Sequence, residues 1–228
     1  MSVAIVTGAA SGMGRASAER FVAEGWQVAA LDLEPAVVDG ANAFAVDVTD
    51  AAAVGATIHR VVRDAGAPTV LVNAAGIYPP STLETMTVDL YRRTFDINVL
   101  GTLLVTQAVA PHFAPGSAVV NFASIDAFVP SPGQLVYCAS KAAVVALTRS
   151  LALELAPRVR VNALAPGWVD TPGNRATGRM EAALASVPLG RAATPDEMAD
   201  LVWFLAGEGR GTYITGETIT ATGGSAFR

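Results

Sequence analysis

Val3-Ala4-Ile5-Val6-Thr7-Gly8-Ala9-Ala10-Ser11-Gly12-Met13-Gly14 is the stretch whose reading decides the fold. Val3–Thr7 is a short apolar, β-branched run that reads as a strand, and a helical pattern, Met13–Glu24, follows at once with Gly25 as its cap. Glycines between a strand and a helix allow a tight turn and close backbone approach to a pyrophosphate. The helix N-terminus then offers free N–H groups and the positive end of its dipole to that anion. The spacing is G-x-x-x-G-x-G rather than G-x-G-x-x-G, because Ser17 holds the last place. A glycine cluster alone is also an ordinary strand-to-helix turn. Its position directly after the first strand makes Gly8, Ser11, Gly12, Met13 and Gly14 candidate cofactor contacts.

Outward from this stretch the same alternation repeats. Gln27–Leu31, Ala43–Val46, Val70–Asn73, Ala118–Phe122, Val159–Ala163 and Thr218–Thr220 read as strands, and Ala51–Asp64, Val88–His112, Tyr137–Leu155 and Asp196–Ala206 as helices. The strands are continuous apolar runs, as in a parallel sheet covered on both faces. The expectation is an α/β, doubly wound parallel sheet of Rossmann type with about seven strands, in a single domain over residues 1–228. Asp32 ends the second strand, 20 residues beyond Gly12. A carboxylate there can accept hydrogen bonds from ribose hydroxyls and repels a 2′-phosphate, and neither Ser11 nor Leu33 brings a compensating cation, so NAD is expected over NADP.

Composition narrows the chemistry. The chain of 228 residues is 52% hydrophobic and 15% charged, with a net charge of −5 that gives no reason to expect nucleic acid. No apolar stretch approaches 18 residues, so no membrane span is expected, and no basic leader precedes the first strand. The single cysteine, Cys138, suits a reducing cytoplasm. His59 and His112 lie far apart in sequence, without acidic or thiol companions, and are expected on helix surfaces with no metal. Against 14 arginines there is one lysine, Lys141, four residues after Tyr137. Arginine replaces lysine on most solvated surfaces, but not where a compact point charge must sit beside a phenol.

Together these residues resemble the short-chain dehydrogenase/reductase family in its single-domain branch. The motifs run nearly end to end: Thr7-Gly8-x3-Gly12-x-Gly14, Asp47-Val48, Asn73-Ala74-Ala75-Gly76, Asn98, Ser124, Tyr137-x3-Lys141 and Pro166-Gly167. The resemblance implies that Tyr137 is the general acid/base, with the Lys141 ammonium one turn on stabilising its anion and holding the nicotinamide ribose. Ser124 would hydrogen-bond the reacting oxygen, and Asn98 would fix a water in a proton relay behind the lysine. Asp47 and Val48 would flank the adenine, and Asn73, Ala74 and Gly76 would line the channel past the ribose. Pro166, Gly167, Val169 and Thr171 would lie near the carboxamide. Taken singly, each of these residues is explained as well by packing, a turn or a helix start.

Two departures stand out. Only 15 residues separate Asp32 from Asp47, so the intervening helix is expected to shrink to a turn at Glu34-Pro35-Ala36. Thr222 stands before Gly223-Gly224, where the family more usually has an acid. Substrate-wall candidates are Tyr78, Asp126, Phe128, Gln134 and Trp168, beside Ile77, Ile125 and Val129, and the segment 172–187 is expected to cover the site as a mobile loop. The pocket is expected to be largely apolar and to suit a small or cyclic secondary alcohol or ketone, with Asp126 and Gln134 as candidates for an extra hydroxyl. Arg175 and Arg179 read as a solvated face. The apolar helices Val88–His112 and Tyr137–Leu155 imply, with the family, a homotetramer, or a dimer second. Two other readings stay open: a 3-oxoacyl-thioester or other carbonyl reductase, and a non-catalytic dinucleotide-binding sensor or scaffold.

Overall fold

Burial along the first strand shows how the sheet divides the core. The computed structural model describes residues 2–226, and in it strand β1 (Val3–Thr7) is buried along its whole length. Ala4 and Val6 pack on one face, against α1 (Gly12–Ala23) and a late helix, Pro195–Ala206. Val3 and Ile5 pack on the other, with Ile58, Val105 and Leu151. This alternation follows from the two-residue period of a strand, and burial of both faces from a sheet covered on both sides.

The remaining strands are β2 (Gln27–Asp32), β3 (Asn42–Ala45), β4 (Val70–Asn73), β5 (Ser117–Phe122), β6 (Val159–Pro166) and β7 (Thr218–Ala221). They form one seven-stranded sheet in the order β3-β2-β1-β4-β5-β6-β7, parallel throughout. The order reverses at β1, between β2 and β4, which opens a crevice at the carboxyl ends of the strands. The architecture is the Rossmann-type doubly wound sheet expected. Residues 33–41 contain no helix, as the short interval implied.

The helices on the Ile5 face are α2 (Ala51–Ala65), α3 (Val88–Phe95), α4 (Thr102–Val109) and α5 (Leu135–Leu155). The expected single helix Val88–His112 is a correction. It is α3, then a π-helical segment Asp96–Gly101, then α4, and a 3₁₀ turn at Ala110–His112. The wide turn carries Asn98, and Thr102 and Thr106 donate their hydroxyls one turn back, to the Asn98 and Thr102 carbonyls, at 3.0 and 2.7 Å. A second correction concerns residues 172–187, which form two short helices, α6 (Pro172–Ala176) and α7 (Met180–Leu184), not an open loop. The remaining helix, α8 (Pro195–Ala206), begins with a capping box between Thr194 and Glu197. His59 and His112, distant in sequence, meet edge to face with ring centroids 5.7 Å apart.

Candidate active site

Most of the site is brought together by the carboxyl ends of β1, β2, β3, β4, β5 and β6 and by the start of α5. The β1–α1 turn holds Gly8 at φ 66° and Gly12 at φ 55°, in the left-handed region that favours glycine. A Cβ on Gly8 would lie 2.7 Å from the Ala75 nitrogen, and one on Gly14 would run into the Gly8 carbonyl. The turn is thus closed by backbone against backbone. Thr7, on the last rung of β1, accepts at its Oγ1 from the Ala74 and Ala75 N–H groups at 3.1 and 3.2 Å, tying this turn to the loop after β4. Asp32, at the end of β2, accepts from the Ala10 N–H at 2.9 Å and the Leu33 N–H at 2.8 Å.

A cleft of about 880 Å³ runs along these ends. Gly8, Ser11, Gly12, Met13, Gly14, Asp32, Leu33, Asp47 and Val48 line one part; Ala74, Gly76, Ser124, Tyr137, Lys141, Pro166, Gly167 and Thr171 line the other. Of the expected substrate wall, Tyr78, Asp126, Gln134 and Trp168 face the cleft. The side chains of three other expected residues do not, although the contact expected of Val169 is one its backbone would make. Asn73 is buried and donates through Nδ2 to Asn121 Oδ1 at 2.9 Å and Thr106 Oγ1 at 3.1 Å, which turns it into the α4 and α5 layer. Val169 is buried in the core with α8, and its carbonyl accepts from Asn174 Nδ2 at 2.8 Å. Phe128 packs beside Val144 and Ala165. Motif position gives the neighbourhood of these residues but not the direction of their side chains.

Ser124 lies two residues beyond β5, and its Oγ accepts from the Asp126 N–H at 3.1 Å. Burial pushes the Tyr137 phenol well above its ordinary value, with the nearby Ser124 hydroxyl opposing the rise and Asp126 and Tyr78 adding to it. Lys141 lies one turn further along α5, buried, with Nζ 5.8 Å from the Tyr137 ring centroid and donating to the Phe122 carbonyl at 2.6 Å. Burial lowers its pKa to about 8. The group that lowers the phenol here is Ser124, and desolvation outweighs it. Asn98 lies behind the cleft, on the lysine's side of it. Its Oδ1 accepts from the Ile77 N–H at 2.8 Å, and its Nδ2 donates to the Ile77 carbonyl at 2.9 Å and to Ser140 Oγ at 3.0 Å. The amide clamps the chain just after Gly76, behind the cleft rather than on its wall.

Sequence reasoning missed Ser140 and Ser131. Ser140, fully buried, links Asn98 to the Tyr137 carbonyl, to which it donates at 2.7 Å. Ser131 donates to Asp126 Oδ1 at 2.6 Å, and burial raises the Asp126 carboxyl. No local pattern marks either; both were anonymous small polar residues near a motif. Arg179, read as solvated, lines the cleft from the segment between α6 and α7 and sits over the Trp168 ring at 5.7 Å.

The glycine cradle fits a dinucleotide: its backbone is exposed to the cleft where side chains would fill it, and at Gly76 a Cβ would stand 3.2 Å from Asn98 Oδ1 and 3.5 Å from Lys141 Nζ. Comparison with known proteins bears on the same residues. The family model described as Enoyl-(Acyl carrier protein) reductase matches residues 8–226. An uncharacterized oxidoreductase of Methylorubrum extorquens is 40% identical over 97% of this chain and 96% of its own. The ligand-free aldohexose dehydrogenase of Thermoplasma acidophilum superposes with a TM-score of 0.96 at 33% identity, covering 100% of this chain and 94% of that one. A blue fluorescent protein from a metagenomic library, solved with NADPH, gives 0.92 at 32% identity over 99% and 98%.

Proposed function

Because this chain belongs to the short-chain dehydrogenase/reductase family, oxidoreductases that bind NAD(P) and act on hydroxyl or carbonyl groups, we propose that it transfers a hydride between NAD and a small or cyclic secondary alcohol. The observation that carries the reading is the continuous cleft joining the glycine turn and Asp32 to Ser124, Tyr137 and Lys141. NAD supplies the hydride acceptor. Gly8, Ser11, Gly12, Met13 and Gly14 hold its pyrophosphate, Asp32 and Leu33 its adenosine ribose, and Asp47 and Val48 its adenine. Ala74, Gly76, Pro166, Gly167 and Thr171 border the rest of the dinucleotide. The chain's own residues do the proton chemistry. Ser124 holds the substrate hydroxyl beside the phenol, and Tyr137 takes its proton as the C–H hydride leaves. The buried Lys141 ammonium is the cation that favours the anionic phenol at that moment. Asn98, by clamping Ile77, keeps the Gly76 backbone away from both.

NAD is preferred over NADP because the Asp32 carboxylate meets the ribose and no cation stands at Ser11 or Leu33 to offset a 2′-phosphate. The proposed assembly is a homotetramer. One observation favours a second reading: the 3-oxoacyl-[acyl-carrier-protein] reductase of Thermotoga maritima is 35% identical over 97% of this chain and 96% of its own, which points to the 3-oxo group of an acyl thioester, reduced in the opposite direction. Two measurements test the proposal. NADH formation at 340 nm, run in parallel with NAD and NADP on secondary alcohols and cyclic diols, should show turnover with NAD; NADP alone would overturn the Asp32 argument. Tyr137→Phe should lower kcat by about 10²–10⁴-fold and leave NAD affinity within a few-fold, and unchanged turnover would sink the mechanism.

A further inference from the structure

The proton chemistry of the site leaves Gln134 unused, and Gln134 is the group there with an unmet need. It is 3% exposed, yet its Oε1 is buried without a hydrogen-bond partner among the described residues. Its backbone is committed, donating to the Ser131 carbonyl at 3.3 Å and accepting from the Cys138 N–H at 2.8 Å, which fixes the residue as the cap of α5 three positions before Tyr137. The residue borders the cleft. A buried amide left unpaired carries a desolvation cost, and sites that bear one are built around a partner that arrives later.

Asp126 points to the same partner. Its Oδ1 accepts from Ser131 Oγ, it lines the cleft, and its charge is felt by Tyr137. The Tyr78 ring, 6.0 Å from the Tyr137 ring, closes this side, and Gly173 of α6 sits against its hydroxyl. Charge then selects the ligand. A substrate anion would meet Asp126, and a substrate cation would meet Lys141 and Arg179, both of which border the cleft. A neutral hydroxyl can donate to the carboxylate and can either donate to or accept from the amide, so it satisfies Gln134 whichever way that amide is turned.

We propose that Gln134 and Asp126 bind a second hydroxyl, beside the reacting carbinol, and that the substrate is therefore a neutral vicinal polyol, open-chain or cyclic, rather than a simple secondary alcohol. This rests on the dehydrogenase reading of the same cleft. It turns the extra hydroxyl for which Asp126 and Gln134 were candidates into the feature that selects the substrate.

The test pairs each diol with the alcohol lacking its second hydroxyl: 2,3-butanediol with 2-butanol, and cis-1,2-cyclohexanediol with cyclohexanol, with saturating NAD. In the wild-type enzyme the diol should exceed its partner in kcat/KM by at least about tenfold. That ratio should fall severalfold in Gln134→Leu and in Asp126→Asn, with NAD binding followed by tryptophan fluorescence to confirm that each variant is folded. Equal kcat/KM values within a pair, or an unchanged ratio in both folded variants, overturn the assignment while leaving the dehydrogenase reading in place. If NAD binds and neither alcohol of any pair is oxidised, the dehydrogenase reading fails and the polyol assignment falls with it. The wild-type comparison stands even if one variant does not fold.

Discussion

Lys141 is the residue whose proton matters most to stability as well as to chemistry. Burial lowers it from 10.5 to about 8, so between those values the unfolded chain binds the proton that the folded chain has released. Stability therefore rises with pH across that window, and the cost of burying the ammonium is present in full below about pH 8. Lys141→Met should remove this cost, on the order of 3 kcal/mol, less about 1 kcal/mol for the lost bond to the Phe122 carbonyl. Denaturant unfolding without coenzyme should show the variant more stable at pH 7, with the gain shrinking as pH approaches 10.5. A variant less stable at pH 7 would overturn this. The pairing of this lysine with Tyr137 was legible because the chain keeps no other lysine. The unpaired amide of Gln134 was not, since an unmet hydrogen bond is a property of three-dimensional surroundings. Asn73 and Phe128 turn away from the cleft for a related reason: a motif locates a residue on an element, whereas the packing on either side decides which way it turns.

At the scale of elements, the strand–turn–helix at β1–α1 was legible almost to the residue, because strand period, glycine placement and helix pattern agree there. Its geometry also sets a strict limit. A methyl at Gly14 would collide with the Gly8 carbonyl, and both groups are backbone, so neither can yield cheaply. Gly14→Ala should cost about 1–3 kcal/mol of stability and weaken NAD binding at least tenfold, measured by denaturant unfolding and by fluorescence titration. Wild-type affinity in that variant would mean that the turn relaxes without consequence. The break in Val88–His112 was not legible, because apolar spacing continues smoothly through it. A π segment adds a residue to one turn without altering composition, and its trace in the sequence is only the recurrence of Thr94, Thr102 and Thr106, each bonding one turn back. The helices over the cleft did leave a signal that went unread: Thr171 caps Pro172, a common helix start.

For the whole molecule, the doubly wound parallel sheet was readable from the alternation of elements, and the assembly was not. Leu100 and Leu103, 40% and 38% exposed, and Leu153, 84% exposed, leave apolar surface on the π segment, α4 and α5. Light scattering on the purified chain should give four times its mass, with twice the mass supporting the dimer and a monomer overturning the proposed assembly. The two core layers meet the cleft along a single edge, and Asp32 stands where they meet. Its carboxylate supports the Ala10 amide as well as taking the ribose in the proposed function. On that proposal, coenzyme choice and the shape of the glycine turn are inherited together. A lineage, or an engineer, exchanging Asp32 for a residue that welcomes a 2′-phosphate must first find another acceptor for that amide. The order in which the substitutions are made would decide whether the intermediates survive.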